Sequence, residues 1–152
     1  RLKNTGEAVI IDVGEGRDIH PRDKQTVGRR LARWALAKDY GMEIAHQSPR
    51  YRSMEIKGNK ALITFDHVGA GLYSFDVINP KGFAVCGKDK KFVWAEARIV
   101  GKDKVEVSAE GVTPTQVRYA WSVNPVCSLM SRAGLPATPF RTDDFPMVTG
   151  GK

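Results

Sequence analysis

The densest chemistry in the sequence lies in eight residues, Gly14-Glu15-Gly16-Arg17-Asp18-Ile19-His20-Pro21. A histidine with a carboxylate nearby can take the proton from an alcohol nucleophile and later return it to a leaving group, while the acid fixes the ring's tautomer. The plain alternative is a solvated histidine at a helix N-terminus, poised by its ordinary titration range and doing nothing. Which reading holds depends on the elements that carry the loop.

Those elements are legible on both sides. Glu7 to Val13 is short, rich in Val and Ile, and followed by Gly14 and Gly16, the pattern of a buried strand running into a loop. From about Asp23 to Tyr40 the spacing predicts a helix. Val27, Leu31, Trp34 and Ala35 make one apolar stripe, with Arg29, Arg30 and Arg33 read as lying away from it. Pro21 precedes the helix, and Gly41 follows where a left-handed cap would sit. In open α/β sheets the ligand crevice lies beyond the carboxyl ends of the strands, and the His20 loop is such a place. One strand–loop–helix unit cannot bury both faces of its strand. Residues 1–42 therefore read as the last β/α unit of a larger α/β domain.

Past Pro49 the helical period disappears. Arg52 to Lys57 and Lys60 to Asp66 flank Gly58-Asn59, a two-residue hairpin signal. Phe92 to Val100 and Lys104 to Ser108 flank a second turn, Phe83 to Cys86 is a strand-like apolar run, and Gln116 to Trp121 alternates. Strands at this spacing predict an antiparallel β-sandwich. From Asn124 onward the chain is rich in Pro and Gly and reads as an ordered strap. The expected fold class is mixed: a final strand–loop–helix unit, residues 1–46, followed by a β-sandwich with its strap, residues 47–152.

Composition narrows the function. The formal charge is +7, with nine Lys/Arg against seven Asp/Glu in residues 1–47 and fifteen against ten in the rest. That excess is spread, with no basic stripe or recognition motif, which argues against nucleic acid. The longest apolar runs are strand-sized, so no membrane span is expected. No secretory leader is visible at the start. Cys86 and Cys127 fit no metal or redox spacing; one disulfide is open to them, but Cys86 in an apolar strand reads better as a buried thiol. No His, Cys, Asp or Glu pair has metal-ligand spacing. His46 reads as a solvated linker residue and His67 as structural. Trp94, Tyr119 and Trp121 could stack a sugar, although aromatics on alternating strands are usually core, the preferred reading.

The stretch Asp18-Ile-His-Pro-Arg-Asp-Lys-Gln-Thr-Val-Gly-Arg-Arg-Leu-Ala resembles the histidine block of sialate O-acetylesterases, members of the SGNH (GDSL-like) hydrolases. Four further segments resemble that family in the same order: Ile63 to Leu72, Lys91 to Ala97, Val117 to Trp121 and Gly134 to Asp143. The resemblance they mark extends over nearly the whole chain and likens it to the family's C-terminal part. The resemblance implies an SGNH-type α/β domain before the sandwich. It also implies a serine acyl-enzyme that removes O-acetyl groups from sialic acid or a related sugar without a cofactor, and an exported protein, periplasmic or secreted. His20 is then the general base and general acid. These hydrolases commonly place Asp three residues before His, where this chain has Arg17; Asp18 is the nearest carboxylate and Glu15 a distant second. A dyad with a backbone carbonyl orienting the ring stays open.

The serine itself is not found. Residues 1–152 hold no Gly-Asp-Ser, Gly-Gln-Ser or Gly-x-Ser-x-Gly, and Ser48, Ser53, Ser74, Ser108 and Ser131 lack the context of a nucleophile elbow. The expected partners are an N-terminal chain or fragment with the nucleophile and oxyanion donors, and an acetylated sugar. Alone, the chain is expected to be inactive, and its first residues read as an internal start. The competing function is a non-catalytic carbohydrate-binding β-sandwich with a vestigial strand and helix.

Overall fold

The computed structural model describes residues 4–147. Its order is one helix, α1 (Lys24–Lys38), then eleven short strands: β1 (Arg50–Lys57), β2 (Lys60–Asp66), β3 (Leu72–Ser74), β4 (Phe83–Cys86), β5 (Val93–Trp94), β6 (Glu96–Val100), β7 (Lys104–Ser108), β8 (Gln116–Tyr119), β9 (Leu129–Ser131), β10 (Leu135–Pro136) and β11 (Phe140–Arg141). The strands form three antiparallel sheets, ordered β1-β2-β7-β6, β10-β9-β3 and β11-β8-β4-β5, around a shared core.

Local sequence explains the elements that were legible. The β1–β2 register closes on Lys57 opposite Lys60, leaving Gly58 and Asn59 as the turn. Positive φ falls on Gly58 at 61° and not on Asn59, the pattern of a turn with Gly at its first central position. β2, β7 and β8 alternate, with Ile63, Val105, Val107, Val117 and Tyr119 pointing inward and fully buried. Aromatic rings close the centre. Phe83 lies 4.7 Å from Tyr119, and Phe140 lies 4.9 Å from Tyr51 and 5.8 Å from Phe65. The Tyr119 hydroxyl accepts the Leu129 amide at 3.1 Å, so its one polar atom is satisfied inside. Burial pushes that phenol far above its ordinary pKa.

Several expectations need correction. Phe92 to Val100 is not one strand. The chain changes sheets at Ala95, whose amide donates to Phe83 O at 3.0 Å, so Val93–Trp94 pairs with β4 and Glu96–Val100 with β7. The strap does more than cover a surface. It supplies β9, β10 and β11, and Leu129, Ala137 and Phe140 enter the core. Asp143 anchors its end, accepting Arg118 Nε and Nη2 at 2.7 Å each. That fork holds the Asp143 carboxyl below its usual pKa, and the guanidinium lies 4.0 Å over Phe92.

Residues 7–13 form no strand. None of the three sheets includes them, and Val13 N–H donates to Ile10 O at 3.1 Å in a turn. A parallel strand exists only by pairing with neighbours, and the strands described here pair among themselves. Both cysteines are free: Cys86 is buried and Cys127 half-buried, and burial raises both thiols. His46 is not solvated but half-buried edge-on to Trp34, ring centres 4.8 Å apart. His67 is an exposed turn residue after β2 with φ 60°.

Candidate active site

The helix that follows the His20 loop starts where the sequence predicts. Asp23 caps it, its carboxylate accepting the Thr26 amide at 2.9 Å, and this holds the acid below its usual pKa. Gly41, with φ 67°, follows its end. Its burial differs from expectation. Leu31 is 50% exposed and Val27, Trp34 and Ala35 are half-buried, whereas Arg30 is the buried residue of α1 at 6%.

Arg30 is a clamp. Nη1 and Nη2 donate to the two oxygens of Asp12 at 2.5 and 2.6 Å, Nη1 also donates to Val9 O at 2.8 Å, and Nη2 reaches Gly134 O at 3.5 Å. A planar guanidinium satisfies such a fork; an ammonium cannot. One side chain thereby ties the segment entering the His20 loop to the helix leaving it, and both to the β9–β10 turn. Sequence reading placed Arg30 with the solvated arginines. The signal was present: Arg30 lies three residues after Val27 and four before Trp34, on the buried side of the helix.

Within the loop, Asp18 and His20 meet. One carboxylate oxygen of Asp18 accepts the backbone amide of His20 at 2.8 Å and stands 3.1 Å from ring Nδ1. These two contacts, the backbone one larger, hold Asp18 below its ordinary pKa. A neutral ring that donates from Nδ1 presents its lone pair at Nε2, the arrangement a general base needs. Glu15 is not at the ring; it faces Arg22 at 3.9 Å. The pair stands in the open, His20 75% and Asp18 60% exposed at the side chain. Among the described residues the hydrogen bonds of His20 go to Asp18, and no serine joins them. Among the same residues no group of three or more His, Cys, Asp and Glu could hold a metal, and no helix is long and apolar enough to cross a membrane.

This fold, a β-rich core preceded by one capped helix, is shared with a solved structure. The crystal structure of a carbohydrate acetylesterase from Xanthomonas citri superimposes with TM-score 0.86 and 40% identity, over 91% of this chain and 32% of that one. Sialate O-acetylesterase from Mus musculus is 31% identical over 158 residues, and that from Homo sapiens 30% over 159, each alignment covering 92% of this chain. No family model matches. The chain is sialate O-acetylesterase-like, as the His20 block and the four motifs after it imply. It spans 28% to 29% of the length of these curated relatives.

Proposed function

We propose that this chain supplies the proton-transfer half of a carbohydrate O-acetylesterase, acting on acetylated sialic acid or a related sugar. The observation that carries the reading is the Asp18–His20 contact, Nδ1 to carboxylate at 3.1 Å, at the mouth of a loop clamped at its base by Arg30. In this reading residues 1–46 complete a catalytic domain whose remaining part holds the serine and the oxyanion donors, and residues 47–152 form the β-module beside it. Nε2 of His20 takes the serine proton as the hydroxyl attacks the acetyl carbonyl. The tetrahedral intermediate collapses to an acetyl-serine, and His20 delivers that proton to the departing sugar oxygen. Water, deprotonated by the same nitrogen, attacks the acetyl-serine, and the proton passes to the serine oxygen as acetate leaves. Asp18 fixes the tautomer and favours the imidazolium formed on the way, and none of these steps calls for a cofactor. The relatives' greater length supports placing the nucleophile outside this chain.

Acetate release from an O-acetylated sialic acid, by the chain reconstituted with the polypeptide that carries the serine, tests this. His20→Ala should lower turnover about a thousandfold or more while the fold persists. Asp18→Asn should cost as much if the acid is essential, and far less if the site works as a dyad. Wild-type turnover in His20→Ala would overturn the reading, and sugar binding by the chain, unaffected by His20→Ala and without esterase activity, would establish the non-catalytic module instead.

A further inference from the structure

The sequence favours core for all three aromatics, Trp94, Tyr119 and Trp121, and the structure corrects that reading for the two tryptophans. Tyr119 is fully buried, but Trp94 is 76% exposed on the two-residue edge strand β5, and Trp121 is 41% exposed just past β8. Trp121 belongs to the segment Ala120 to Val126, whose path is held by backbone geometry. Ala120 is buried yet has φ 49°, in the left-handed region that a residue with a side chain enters at a cost. Its amide donates to Gly82 O at 2.8 Å. Gly82, with φ 99°, cannot be replaced without collision, because a Cβ there would lie 2.9 Å from Val126 O. The two positions together turn the chain off the sheet and project Trp121 to Val126 outward.

The projected segment builds one wall of a depression of about 390 Å³ whose lining includes Lys81, Trp94, Ser122, Asn124 and Val126. An open indole ringed by a hydroxyl, an amide and an ammonium matches the two faces of a pyranose: its C–H face packs on the aromatic plane, and its hydroxyls find donors and acceptors at the rim. Lys81 further suits a sugar that carries a carboxylate. The same segment touches the catalytic loop. A Cβ on Gly16, four residues before His20, would lie 2.9 Å from Asn124 Nδ2, so the amide packs directly on that loop.

We propose that Trp94, with Ser122 and Asn124, forms a subsite that holds the pyranose ring of the substrate beside the His20 loop, Lys81 favouring acidic sugars. This rests on the esterase reading and adds to it the β-module as the part that recognises the sugar.

Two measurements test it. In the reconstituted enzyme, Trp94→Ala should raise KM for an O-acetylated N-acetylneuraminate about tenfold. Its kcat, and hydrolysis of p-nitrophenyl acetate, should stay within about twofold of wild type. A sugar KM unchanged from wild type overturns the subsite, as does an equal loss on both esters, which would mean a general structural role. Independently of any catalysis, titration of this chain with N-acetylneuraminate should change its tryptophan fluorescence, and Trp94→Ala should abolish most of that change. No response in the wild-type chain overturns the subsite. Failure of the esterase reading shows instead as absent hydrolysis of both esters, with sugar binding still dependent on Trp94.

Discussion

The β-region from Arg50 onward and the segment before it solve the same burial problem with different means. In the β-region each strand finds its partner within the chain, and the apolar side chains meet in one core with Phe83, Tyr119 and Phe140 at its centre. In residues 4–47 polar groups do the fastening. Arg30 forks onto Asp12, Trp34 Nε1 donates to Glu7 O at 2.7 Å, Arg33 donates to Ala45 O at 2.9 Å, and Arg50 pairs with Glu7. The apolar stripe of α1 stays half open, and Ile19 beside His20 is almost fully exposed. The difference teaches that the β core closes by apolar packing within this chain, although its rim leaves Ile78, Trp94 and Val123 exposed, whereas the segment leading into the histidine loop adds only Val9 and Ile11 to apolar packing and is fastened chiefly by hydrogen bonds.

That contrast is broken or sharpened first in the β core. Phe83→Ala removes a fully buried ring packed against Tyr119 and Phe140. It should cost about 3–5 kcal/mol, read as a lowered denaturation midpoint in urea. A loss below about 1 kcal/mol would mean that the core is not the closed unit described.

Next comes the clamp. Arg30→Ala leaves the Asp12 carboxylate, only 20% exposed, and the Val9 carbonyl without their donor. About 2–3 kcal/mol of stability should go, the partial exposure of Asp12 keeping the cost below that of a fully buried pair. Arg30→Lys should recover less than half, since one ammonium cannot span both carboxylate oxygens. Full recovery by lysine would show that charge alone, and not the fork, holds the loop.

How much of this was legible follows from how local each determinant is. The α1 cap at Asp23, the Gly58 turn and the alternation of β8 depend on residues a few positions apart, and sequence shows them directly. The sheet change at Ala95 and the strands of the Pro-rich strap depend on partners such as Phe83 and Tyr119, and no local pattern announces those pairings. Of the candidate site, Asp18 two residues before His20 was readable because the contact is local. Arg30 was missed because a charged residue was assumed to be solvated, although its spacing put it on the inner face. Alternation separated Tyr119 from Arg118, but it could not say whether Trp94 and Trp121 were covered.

The smallest effect makes the sharpest comparison, because it asks one residue the same question in two settings. Leu31 is 50% exposed on α1. Leu31→Gln keeps nearly the same helix propensity, so it should shift the stability of this chain by less than about 0.5 kcal/mol. If the remaining length seen in the relatives covers the stripe of α1, the same substitution in the assembled enzyme buries an amide where a Leu packed. It should then cost about 2–3 kcal/mol, measured by the same urea titration. Matching small losses in both settings would leave the open helix face as ordinary surface, and the contacts made within this chain would be the whole of what holds His20 in place.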